Sequence, residues 1–196
     1  MDYQKIKELL LKYSYLGTMT TKLNDLEIGW APNIARKAYL CTIFAPLTDE
    51  EMKVIKNEVP YPFPPSYEEF LTQFSNGLFV MLDLFFISGL RRRPHPEEPI
   101  APVTFDSYLY NVLERPKNAT NDMLIIGGYS ANRSRLYMKQ GDPKVYYCEE
   151  WDVTPLKSWP SFEEMLIEEI TRVSKLFNEE TGLLFPAEEF LPVKTS

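Results

Sequence analysis

Between Pro64 and Gly77 the chain reads PPSYEEFLTQFSNG, and no other stretch restricts its fold so tightly. Tyr67, Phe70, Leu71 and Phe74 fall at i, i+3, i+4 and i+7, the spacing that puts apolar side chains on one helical face. Twin prolines cannot continue a helix backwards, so the helix begins after them. The spacing of Ser66 and Glu69 predicts a capping box, in which hydroxyl and carboxylate each satisfy the other residue's backbone N–H. Ser75, Asn76 and Gly77 supply the stop, because Gly and Asn tolerate the left-handed conformation that closes helices. LFVMLDLFFISG follows at once and is too apolar for a surface loop. It reads as a single strand buried on both faces, although periodicity alone leaves a buried helix open.

The remaining elements fit around this pair. Ile6, Leu9, Leu10 and Tyr13 form a helical stripe that Gly17 can end, and YLCTIF from Tyr39 to Phe44 has strand composition. In LTDEEMKVIKNEV, Thr48 and Glu51 form a capping box while Leu47 and Met52 occupy the positions of a hydrophobic staple. VPYPFPP is an extended connector, since each proline pushes its predecessor out of the helical region. GLRRRPHPEEPIAP reads as a solvated loop in which Glu97 and Glu98 offset Arg91, Arg92 and Arg93. Phe105, Tyr108, Leu109 and Val112 make a third i, i+3, i+4, i+7 stripe, which predicts a helix started by Thr104. MLIIGG is a short strand, and RLYMK and KVYYC form a hairpin around a four-residue loop, Gln140 to Pro143. Last comes the longest helix, capped by Ser161 with Glu164. Its stripe runs through Phe162, Met165, Leu166, Ile170, Val173 and Phe177 until Thr181 and Gly182 end it. Helices, then strands, then a helix imply an α+β fold: a mostly antiparallel sheet with helices packed on one side.

An apolar residue and Pro, then Tyr, Phe, Leu and a closing Asn-Gly before a hydrophobic strand, resembles the signature of the SUKH superfamily. Its members include bacterial immunity proteins and fungal cell-wall assembly regulators. SWPSFEEML, from Ser158 to Leu166, is similar to that family's closing helix, and MLIIGG, from Met123 to Gly128, to its central strand. The resemblance implies a single SUKH-like domain over 1–196, with a family-like core at roughly residues 46–178. Outside that pattern lie an N-terminal extension, 1–45, and an insertion at about 91–122. As a role it implies an immunity protein that neutralises a toxin, often a nuclease, or alternatively a regulatory scaffold binding endogenous proteins. The matching residues Tyr67, Phe70, Asn76, Gly77 and Phe162 are core and cap positions, so they transfer a fold and no interaction site.

Charge narrows the partners. Lys and Arg number 21 against 28 Asp and Glu, a formal net charge of −7. Such a chain repels phosphate backbones, so nucleic acid is not an expected partner and a basic protein, such as a toxin domain, is. Cys41 and Cys148 sit in apolar runs and read as buried free thiols. The charged N-terminus lacks the apolar core of a signal peptide, and no apolar run reaches membrane-spanning length. A cytoplasmic protein without membrane contact is therefore expected.

Candidate chemistry is sparse. His95, the one histidine, lies between prolines with no nucleophile or orienting acid placed near it, and zinc ligation would lack recognised spacing. The adjacent acids Glu68/Glu69, Glu149/Glu150, Glu163/Glu164, Glu168/Glu169 and Glu179/Glu180 suit helix termini better than a glycosidase pair. GGYSAN lacks the lysine and glycines of a phosphate loop. Neither an enzyme nor a cofactor or metal is expected, a hydrolase built on His95 and paired Glu being the weakest reading. Glu149, Glu150, Trp151 and Asp152 remain. The preferred reading buries Trp151 at a strand end among solvated acids. The alternative, kept as the partner-binding candidate, is an aromatic anchor flanked by acids for a basic partner.

Overall fold

The computed structural model describes residues 1–186 and 191–193. Its α-helices are α1 (Tyr3–Leu11), α2 (Asp49–Glu58), α3 (Pro65–Gln73) and α4 (Phe162–Val173). The strands of the main sheet are β1 (Thr18–Thr20), β2 (Leu26–Trp30), β3 (Tyr39–Ile43), β4 (Leu78–Val80), β5 (Phe85–Ile87), β6 (Met123–Tyr129), β7 (Arg135–Lys139), β8 (Asp142–Cys148) and β9 (Lys157–Trp159). These nine strands lie side by side in chain order, every neighbouring pair antiparallel. The α+β class read from the sequence is the observed one. The sheet runs without a break across residue 46, because the N-terminal extension contributes α1 and β1 to β3.

Side chains alternate across a strand, and here the alternation builds two cores. Leu78, Val80, Phe85, Ile87, Leu124 and Ile126 meet the buried faces of all four helices, represented by Ile6, Ile55, Phe70 and Leu166. Phe79, Phe86, Ile125 and Tyr137 point the other way, onto Phe105 and Tyr110 of the inserted segment. On the helix side the two signature stretches touch: Phe162 makes edge-to-face contacts with Phe70 at 5.3 Å and Tyr67 at 5.9 Å. The buried Tyr67 hydroxyl donates to the Ser88 carbonyl at 2.7 Å, tying α3 to the chain just beyond β5.

Several expectations need correction. The α3 N-cap is Pro64, with no side-chain cap, and its carbonyl accepts from the N–H groups of Tyr67 and Glu68. Pro65 occupies the first helical position, where its fixed φ is helical and its missing N–H leaves no donor orphaned, so Ser66 is already inside the helix. In α2 the expected box is present, Thr48 and Glu51 bonding each other's backbone. Hence Thr48→Ala is expected to lower stability by about 0.5–2 kcal/mol, and Ser66→Ala to stay within about 0.5 kcal/mol of the parent in the same urea titration. Equal losses would contradict the two helix starts.

LFVMLDLFFISG is two strands, β4 and β5, joined by a turn in which Met81 and Leu82 take positive φ of 52° and 66°. That geometry suits a tight hairpin but disfavours L side chains by about 1–2 kcal/mol per residue. It is held because Met81 is fully buried and the Leu82 N–H donates to the Leu40 carbonyl. The β7–β8 turn uses two residues, Gln140 and Gly141, and Pro143 falls within β8. α4 ends at Val173, and Phe177 starts a small hairpin of β10 (Phe177–Asn178) with β11 (Leu183–Leu184). The helix expected from Thr104 is instead a turn opened by Asp106, whose carboxylate accepts from the Tyr108 N–H, continuing as a π-helical turn at Leu109–Leu113. The wider π spacing buries Tyr110 and Asn111 and leaves Val112 and Leu113 exposed.

Arg92 is no free loop cation. Its guanidinium grips the Glu51 carboxylate with two bonds of 2.7 Å and also donates to the Ala45 and Pro46 carbonyls, which clamps the inserted segment onto the start of α2. Arg92 in turn holds the Glu51 carboxyl below the usual carboxylate range.

Candidate functional site

The four α-helices occupy one face of the sheet, so any recognition surface built on the sheet itself must use the other. On that face one cross-strand row can be followed from edge to interior through successive registers. It runs Met19, Glu27, Thr42, Phe79, Phe86, Gly128, Arg135 and Cys148, on β1 to β8. Phe105 lies over its centre, 5.0 Å from Phe79 and 4.5 Å from Phe86 between ring centroids. The inserted segment is pinned there by two asparagines that bond like strand residues. Asn76 exchanges bonds of 2.8 Å with the N–H and carbonyl of Leu90, and Asn111 does the same with Ile125. The insertion is therefore a second layer over the sheet, while the stretch read as a solvated loop is mostly exposed from Arg93 to Ile100 and Arg92 within it is clamped down.

Because the insertion covers only the centre, a depression remains on each side. Each has a buried charge in its floor, and neither charge was singled out from the sequence. On the β6–β8 side Arg135 is 3% exposed, its guanidinium 4.3 Å from the Tyr110 ring centroid and 3.2 Å from Glu114. Arg133 bridges to Glu150 at 2.7 Å and to Glu114 at 3.7 Å, so the charges in this cavity of about 210 Å³ are mutually paired. On the β1–β4 side a larger cleft of about 530 Å³ has Glu27 in its floor, 4% exposed. Burial, with Asp25 and Glu98 nearby, pushes the Glu27 carboxyl up to about 7, against the pull of Lys37.

The partner-binding candidate from the sequence lies on the loop from β8 to β9. Trp151 is 55% exposed, which overturns the preferred reading of it as core and leaves the anchor alternative. Glu149 is exposed beside it. Glu150 turns inward to Arg133 and is neutralised there. Asp152 accepts from the Thr154 N–H at 2.8 Å and from Asn118 at 2.7 Å, and hydrogen bonding from Thr154 first and Asn118 after it holds its carboxyl below the usual range. The four residues therefore do not act as one acidic cluster: Trp151 and Glu149 face outward, Asp152 is an ordered rim, and Glu150 belongs to the arginine network.

The other candidates take structural places. His95 accepts from the Glu97 N–H within its own loop. Glu68 pairs with Lys56, and Glu169, fully buried, bonds Tyr129 and Arg172. Both cysteines are buried and free, and burial pushes each thiol up to about 12, away from thiolate chemistry. Among the described residues no three His, Cys, Asp or Glu side chains converge as a metal site would require, and no helix is long and apolar enough to cross a membrane. The sequence signal that could have found Glu27 is the run LEIGW, a lone acid in a strand of apolar neighbours; Arg135, opening RLYMK, is its counterpart.

Comparison with known proteins returns one family. The model described as the SMI1 / KNR4 family (SUKH-1) matches residues 46–168, from the start of the α2 cap to the middle of α4. No curated protein matches the chain.

Proposed function

This chain belongs to the SMI1/KNR4 family (SUKH-1), a family that is generally non-catalytic, and we propose that it is a non-enzymatic protein-binding domain acting as an immunity protein. Its partner in this reading is a basic toxin domain of the nuclease type, which it binds and neutralises. The observation that carries the reading is Trp151: a large aromatic more than half exposed, beside the outward carboxylate of Glu149. Tryptophan is among the commonest anchors of protein interfaces, and acids around it select a basic partner and speed its approach. The net charge of −7 supports the same choice.

Co-expression with a toxin domain encoded beside this chain's gene tests it. The chain should restore growth, and Trp151→Ala should weaken the complex by at least about thirtyfold, the hot-spot range. Its own unfolding midpoint should hardly move, as expected of an exposed side chain. The association rate should fall as salt rises past about 0.15 M, where the Debye length is about 8 Å. Growth arrest despite full expression of the chain would reject the immunity role.

A further inference from the structure

We propose that the cleft on the β1–β4 side of the helix-free face receives an arginine side chain from a protein partner, with Glu27 as its anionic anchor and Trp30 as the aromatic wall beside it. The proposal rests on the chain being a protein-binding module, and does not require that the partner be a toxin.

The argument starts from an imbalance. Glu27 is almost fully buried in the cleft floor, and among the described residues nothing donates a hydrogen bond to its carboxylate or forms an ion pair with it. A buried carboxylate without a partner is disfavoured, and folded chains either pair such a group or keep it neutral. Its acidic neighbours Asp25, Glu97 and Glu98 are answered from within. Asp25 accepts from the Thr21 hydroxyl and the Ala45 N–H, Glu98 from the Lys22 N–H, and Glu97 faces the Lys22 ammonium at 3.4 Å. Arg135, the matching buried charge across the face, has Glu114. Glu27 has no such partner among the described residues and opens into the cleft of about 530 Å³.

The walls indicate what would fill that volume. Glu27, Asp83, Glu97 and Glu98 line it against Arg36 and Lys37, an excess of acids that favours a cation. The apolar wall includes Trp30, 47% exposed, with its indole N–H turned to the Arg36 carbonyl. An aromatic beside a carboxylate suits guanidinium better than ammonium. Guanidinium is planar, weakly hydrated, stacks on aromatic faces and forks onto both carboxylate oxygens. A protein source is favoured by the position of the cleft at the sheet margin. Met19 in its wall belongs to β1, the edge strand, whose three residues are all exposed and which an extended segment can approach.

The groups facing Glu27 set its behaviour with pH. Asp25 and Glu98 raise its carboxyl, Lys37 lowers it, and Tyr39 is close enough to be raised by it in turn. With the carboxyl near 7, the anchor is mostly protonated at pH 6 and mostly ionised at pH 8, so arginine should bind about tenfold more tightly at the higher pH.

The test is titration of the full chain with N-acetyl-arginine amide, followed through the indole N–H resonance of Trp30, assigned with Trp30→Phe. Arginine amide should shift that signal with saturation, while the neutral isostere N-acetyl-citrulline amide should not. Glu27→Gln, which keeps shape and removes charge, should weaken arginine amide at least tenfold and abolish the rise with pH. Trp30→Ala, at a half-exposed position that folding tolerates and titrated by calorimetry because it lacks the indole, should weaken it as well. The proposal is overturned if the Trp30 signal stays still at millimolar probe, if citrulline or lysine amide binds as well as arginine, or if Glu27→Gln leaves affinity unchanged. No toxin enters this titration, so a failed growth rescue and a failed titration are separate results.

Discussion

Phe70→Ala is expected to lower the free energy of unfolding by about 3–5 kcal/mol, the range for truncating a buried aromatic. The ring is fully buried, packs edge-on to Phe162 at 5.3 Å and tilts against Phe74 at 5.5 Å. It stands where α3, α4 and the sheet meet, so the neighbours that would have to close the void are anchored by three different elements. Little collapse is possible there, which places the loss high in the range. Urea unfolding should show a lower midpoint at unchanged slope. A loss under about 1 kcal/mol would mean that the aromatic contact between the two signature stretches is not what holds the helices to the sheet.

Gly77→Ala should be comparably damaging for a different reason. Gly77 has φ of +101°, and a Cβ there would come within 2.1 Å of the Thr104 hydroxyl and 2.8 Å of the Ile87 carbonyl oxygen. Backbone strain of about 1–3 kcal/mol and overpacking of similar size combine to about 2–6 kcal/mol. The two parts can be separated. Thr104 is buried and its hydroxyl has no hydrogen-bond partner, so Thr104→Ala in the Gly77→Ala background should recover part of the overpacking and none of the strain. An Ala at 77 that changes nothing, or a second substitution that recovers nothing, would refute this account of why glycine stands there.

The same residue shows how far a sequence can be read. Asn76 and Gly77 were legible as a helix stop, which is a local event. That Asn76 also clamps Leu90, and that Gly77 lies against Thr104, depends on the inserted segment returning to that spot. Similarly, Thr48, Glu51 and Ser161 were legible as caps because their partners lie within three residues. The Met81–Leu82 reversal was not, because neither residue carries the Gly or Asn signal of a tight turn and tertiary burial imposes the positive φ. Trp151 was named from its acidic surroundings, yet whether it pointed in or out was decided only by where the β8–β9 loop ends.

By itself the sequence determined the four amphipathic helices, the alternation of most strands, the acidic balance and the family kinship, since each rests on periodicity or on contacts between near neighbours. Only the tertiary structure decided what the helix-free face presents. Glu27 and Arg135 sit in one row because six strands are paired in a particular register from β2 to β7. A slip of one residue in any pair would turn the following side chains to the opposite face. Register and coverage are set by contacts distant in sequence, so LEIGW marks a lone acid among apolar neighbours, but that it opens onto an empty cleft is not written in any local pattern.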